Sequence, residues 1–112
     1  MSFRSDIGTL VLGALQAGPL HGYQIVRRIK EKGDLQRLTE GQVYPYLHKL
    51  ERQGFVLAEW QTDTGAAPRK VYELTQAGLA ELDRQRGVWE KFSAGVSSIL
   101  AAELNRPEGH NA

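Results

Sequence analysis

Three histidines, His21, His48 and His110, are the only imidazoles in this 112-residue chain, and they are the first place to look for chemistry. No two stand at metal-ligand spacing, and no Ser or carboxylate occupies a recognised catalytic setting. Zero Cys removes thiolate ligands, thiol nucleophiles and disulfides together. Neither an enzyme, a metal site nor a bound cofactor is expected, and no catalytic residue is assigned. A different chemistry is written in residues 39–54, TEGQVYPYLHKLERQG. On a helical wheel of about 100° per residue, Gly41, Gln42, Pro45, His48, Lys49 and Arg52 gather on one side, with Tyr44 and Glu51 on its flanks. Such side chains suit the base edges and phosphates of duplex DNA. The same face is also compatible with an ordinary solvated helix, in which Glu51 is a solvated acid and Glu40 a first-turn partner of the helix dipole.

The elements that must position this face can be read from spacing. Thr39 and Gln42 fit a capping box, Val43, Tyr46, Leu47 and Leu50 form the core stripe, and Gly54 stands where a left-handed cap closes the helix. Pro45 lies inside the pattern and removes one intrahelical donor, which predicts an irregular first turn or a bend. Ahead of it, Ile7, Leu10, Val11, Ala14 and Leu15 predict a first helix over Asp6 to Gln16. Tyr23, Ile25, Val26 and Ile29 predict a second from Gly22 to Lys32, closed by Gly33 and Asp34. Tyr23 and Tyr72 are expected to serve the core with their hydroxyls at its edge, and His21 to be a turn residue. Behind the third helix, Phe55 to Gln61 and Arg69 to Leu74 read as a hairpin, the place of a wing, with Arg69 and Lys70 set to touch phosphates; a plain surface hairpin is the alternative. The fold expected is mainly α (α+β), a winged helix-turn-helix in residues 1–74 with a long C-terminal dimerisation helix in 75–105 and a disordered tail in 106–112.

That last helix carries Leu79, Leu82, Trp89, Phe92, Val96, Ile99, Leu100 and Leu104. Its steps from 89 to 92, 96 and 99 alternate three and four residues, like the seam of a coiled coil. A homodimer is expected, sealed through Leu82, Trp89, Phe92, Val96 and Ile99.

Composition sets outer bounds. Hydrophobic residues make up 41% and charged residues 24%, ordinary for a globular chain, and no apolar run approaches the roughly 18 residues needed to span a bilayer. No secretory signal pattern opens the chain, so a cytoplasmic location is expected, with no membrane partner. The net charge of +1 is unevenly spread: residues 27–70 hold nine basic against six acidic side chains, while residues 71–112 hold four against six. A basic middle beside an acidic end suits a nucleic-acid reader with a separate assembly segment, but the excess is small. A winged helix that binds protein and never DNA is the competing reading.

The strings GPLHGYQI, GQVYPYLHKLERQGFV and PRKVYELTQAG, in this order and spacing, resemble the PadR family of bacterial winged helix-turn-helix regulators over most of residues 7–78. The short length and single C-terminal helix look like its smaller subfamily. The resemblance implies a dimeric repressor released from double-stranded operator DNA by a small molecule. On the reading of α3 as a DNA-binding helix, Gln42, Tyr44, His48 and Lys49 are the candidates for base or backbone contact near the groove floor, and Arg52, Arg69 and Lys70 for phosphates. Drug-sensing members of that subfamily pair a Trp across the dimer to sandwich flat aromatic ligands. Trp89, fourteen residues after Thr75, is similar in place, with Phe92 and Ser93 beside it, although a packed interface aromatic is the alternative. An indole face accepts many planar compounds without fixed hydrogen bonds. Ser93 stands where a drug-sensing relative has an acid, so no preference for cations is implied.

Overall fold

The computed structural model describes residues 7–62, 65 and 67–104. Asp6, Asn105, His110 and the expected tail at 106–112 lie outside the described residues. The elements run α1 (Ile7–Ala14), β1 (Leu20–His21), α2 (Gly22–Gly33), α3 (Glu40–Arg52), β2 (Val56–Gln61), β3 (Arg69–Leu74) and α4 (Gln76–Leu104). They fall into two compact units, one ending at Leu82 and one beginning at Asp83.

In the first unit α1 packs on α2 and α3 around Ile7, Val11, Leu12, Ile25, Val43 and Leu47, each no more than 1% exposed. The core side chains of α1 and α3 are mostly those their helical spacing selects, with Leu10 and Tyr46 half-buried against the cluster, Leu15 buried just past the end of α1, and Leu12 added. Arg28 reaches back from α2 to the Ala14 carbonyl at 3.5 Å, taking up one acceptor at the open end of α1.

Both ends of α3 are built as the spacing predicts. The Gln42 side-chain oxygen accepts the Thr39 N–H at 2.9 Å and the Thr39 hydroxyl at 3.2 Å, the return arm of the capping box. Leu38 and Val43, flanking the cap, are both buried in the core, the placement of a hydrophobic staple. At the far end Gly54 turns left-handed with φ 81°, its N–H donates to Glu51, and Phe55 N–H donates to Leu50, both at 3.0 Å. That pair of bonds is a Schellman cap. α3 runs unbroken through Pro45, which lies on its exposed side. α3 keeps α-helical form across Pro45, without the expected irregular turn, and the residue four before the proline, whose carbonyl loses the donor, is Gly41.

The sheet is antiparallel in the order β1-β3-β2. β2 and β3 pair from Val56 opposite Leu74 to Gln61 opposite Arg69, as a hairpin. The two-residue β1, absent from the sequence reading, pairs Leu20 with Tyr72 and His21 with Val71. It is too short to show a period of two, and a Gly-Pro break hides it.

The first turns of α4 belong to the core unit. Thr75 Oγ accepts the Gly78 N–H at 3.0 Å and donates to the Gly54 carbonyl at 2.6 Å, while the Thr75 N–H donates to the Phe55 carbonyl at 3.1 Å. A Cβ on Gly78 would strike that same Phe55 carbonyl. Leu82 is only 6% exposed and sits in the core cluster. Leu82, expected in the dimer seam, therefore has its side chain already covered within its own chain, whereas Leu79 before it is 51% exposed. In the second unit Phe92, Val96 and Ile99 are 48%, 38% and 67% exposed.

Candidate nucleic-acid interface

Pro45, His48, Lys49 and Arg52 are exposed along one side of α3, and Gln42 and Tyr44 are half-buried beside them. Lys49 and Arg52 also lie in the last turn, where cations complement the carbonyl end of the helix dipole. Their placement thus has a structural benefit independent of any ligand. Gln42 has its amide oxygen engaged at the cap. Tyr44 rests its ring on the start of α2, where a Cβ on Gly22 would come within 2.7 Å of it. Burial, then the nearby Glu40 carboxylate, pushes its hydroxyl pKa up, so it presents a phenol donor across ordinary pH.

The two wing cations differ. Arg69 is exposed at the start of β3. Lys70 is drawn back: its Nζ lies 3.5 Å from Glu51 Oε1 and 5.6 Å from the centre of the Tyr72 ring. It therefore ties the wing base to the end of α3. Glu51, expected as a solvated acid, is half-buried and paired, since the hairpin folds back over its turn of helix. Tyr72 is 4% exposed, as expected of a core residue, and burial raises its pKa against the opposing Lys70 charge. Tyr23 corrects its own expectation: it is 54% exposed. It follows Gly22 in the first turn of α2, one position off the buried stripe of Ile25, Val26 and Ile29.

His21 caps α2. Its Nδ1 accepts the Gln24 N–H at 3.4 Å, and Gln24 Oε1 accepts the His21 N–H at 3.1 Å. Burial, then the Arg69 charge, lowers its pKa below 6.5, consistent with a neutral ring whose Nδ1 is an acceptor.

Between the start of α2, the Tyr44–His48 side of α3 and the wing base lies an open groove of about 690 Å³. Tyr23, Arg27 and Trp60 line it together with Arg69. None of the first three belongs to the predicted site. Trp60, 64% exposed at the position facing Lys70, was legible only as a β-former. In the second unit Trp89 and Phe92 meet edge to face, ring centres 5.7 Å apart at 88°, and Ser93 is exposed on the next turn.

A three-helix core whose capped third helix shares a groove with a hairpin defines a winged helix-turn-helix. Residues 11–84 match the family described as Transcriptional regulator PadR-like family. The chain belongs to that family, one of transcriptional regulators rather than enzymes. It is 34% identical over 77 residues to Transcriptional regulator Rv3488 of Mycobacterium tuberculosis, covering 69% of each chain. It is 36% identical over 73 residues to Negative transcriptional regulator PadR of Bacillus subtilis, covering 64% of this chain but only 40% of that protein. The crystal structure of Bacillus subtilis PadR in complex with operator DNA superposes with a TM-score of 0.63 at 32% identity, covering 70% of this chain and 45% of that one. Among the described residues no helix is long and apolar enough to cross a membrane.

Proposed function

We propose that the chain is a dimeric, sequence-specific DNA-binding repressor, released by a planar aromatic ligand held at the dimer interface. The observation that carries the DNA reading is the groove common to α3 and the wing, which brings Tyr44 and His48 to the same surface as Arg69. The operator complex of the Bacillus subtilis relative supports it. In a symmetric dimer the two α3 helices enter successive major grooves of a pseudo-palindrome about 34 Å apart. Gln42, Tyr44, His48 and Lys49 contact bases or backbone near the groove floor; Arg52 and Arg69 face phosphates. Lys70 reaches phosphate only by leaving Glu51. The test is a mobility shift with DNA from upstream of the chain's own gene at two salt concentrations. Lys49→Ala and Arg52→Ala weaken binding and each lowers the salt slope by about 1. Unchanged affinity in both sinks the assignment, and no shift at low salt favours a protein-binding winged helix.

The exposed apolar residues of α4 from Phe92 to Ile99 support the dimer, and the half-exposed Trp89–Phe92 pair supports the ligand. A planar aromatic compound should quench Trp89 emission in the wild type. If Trp89→Phe binds the compound equally well, the ligand lies elsewhere.

A further inference from the structure

We propose that Thr75 is a positioning residue for operator recognition: through Gly54 and Phe55 it fixes the angle between α3 and the start of α4, and with it the half-site spacing that a dimer accepts. This rests on the dimeric DNA-binding reading. The peptide groups of Gly54 and Phe55 are shared between two helices. Their N–H groups donate into α3, to the Glu51 and Leu50 carbonyls, both at 3.0 Å. Their carbonyls face α4: Gly54 accepts the Thr75 hydroxyl at 2.6 Å and Phe55 accepts the Thr75 N–H at 3.1 Å. Four backbone groups on two consecutive residues thus join the last turn of α3 to the first of α4. A Cβ on Gly78 would strike the Phe55 carbonyl oxygen, so helix and link touch without a side chain between them.

The Thr75 hydroxyl makes two bonds of different kinds. Accepting the Gly78 N–H at 3.0 Å is an N-cap, which serves α4 alone. Donating to Gly54 leaves that helix and ends 21 residues earlier, at the close of α3. The core grips α3 through Val43, Leu47 and Leu50, so losing the donated bond frees the first turn of α4 and leaves α3 in place. The lever is long. α3 has 13 residues, about 20 Å, so in a dimer joined through α4 a swing of about 10° moves its far end by about 3.4 Å, the rise of one base pair.

The experiment uses the full chain and duplexes built from upstream DNA that the wild type shifts: both half-sites at native spacing, the same with one to three base pairs inserted between them, and a single half-site. Three variants separate the two bonds. Thr75→Ser keeps both; Thr75→Asp keeps a capping acceptor but, ionised, cannot donate; Thr75→Val loses both. Circular dichroism should show the Ser and Asp variants folded, so the outcome does not hang on Thr75→Val. Wild type and Thr75→Ser should lose about a hundredfold in affinity at the wrong spacing. For Thr75→Asp and Thr75→Val that penalty should shrink to about tenfold or less, with affinity for the single half-site unchanged. If Thr75→Asp keeps the wild-type penalty, Thr75 is a helix cap and nothing more. Equal weakening on every duplex, the single half-site included, places the damage in α3 and also overturns the assignment. If the wild type binds all spacings alike the dimer reading falls, and if it shifts no duplex the DNA reading falls; the role of Thr75 goes with either.

Discussion

His21 shows how one side chain can join a helix cap to a charged surface. Neutral, its Nδ1 accepts from the first turn of α2; protonated, it loses that acceptor and meets Arg69 as a like charge. Its folded pKa is below its unfolded value of 6.5, so the unfolded chain binds the proton more readily. The stabilisation is therefore complete above pH 6.5 and lost as pH falls from there towards the folded value. His21→Asn keeps a capping acceptor that does not titrate. Between pH 7 and 5 the wild-type melting temperature should fall more steeply than the variant's; parallel curves refute the cap's role. Gly22 makes a second residue-level prediction. Gly22→Ala drives a methyl into the Tyr44 ring, at a cost of about 1–3 kcal/mol by overpacking. A melting temperature at or above wild type shows that the ring has room to move.

Helices and strands differ in how far the sequence revealed them. α3 was legible at both ends because its caps use residue types with specific local roles, Thr39 with Gln42 and Gly54. The wing strands were legible from β-formers on either side of turn residues. β1 was not, because two residues carry no pattern and its pairing with Tyr72 and Val71 is long-range. Periodicity also misplaced Leu82 and Tyr23: spacing ranks positions on a helix but cannot say which neighbour covers them. The groove was invisible for the same reason, since Tyr23, Trp60 and Arg69 come from three elements. Glycine substitutions separate helix propensity from packing. Propensity alone makes Gly→Ala inside a helix stabilising by up to about 1 kcal/mol, and Gly13→Ala, with open space around it, should raise the melting temperature. Gly78→Ala should lower it by at least the equivalent of about 1–3 kcal/mol, because the obstacle is the Phe55 backbone carbonyl. Equal stabilisation by both would mean α4 is not pressed against that turn.

Across the whole molecule, the two units have different unmet needs. The core unit buries most of its apolar side chains internally, Tyr23, Leu57, Trp60 and Leu79 excepted, and leaves exposed cations on α3 and the wing. The second leaves Phe92, Val96, Ile99 and Leu100 exposed, a surface with apolar area and no covering element among the described residues. Phe92→Asp should convert the proposed dimer to monomer by light scattering and weaken operator binding through loss of the paired half-site; a dimer that persists moves the interface elsewhere. The turn at Gly54 and Phe55 then acquires a mechanical meaning. It closes α3, and Thr75 and Gly78 clamp the start of α4 onto its carbonyls. The last turn of α3 and the first turn of α4 thus share one hydrogen-bonded corner, and a substitution on either side of it is felt on both.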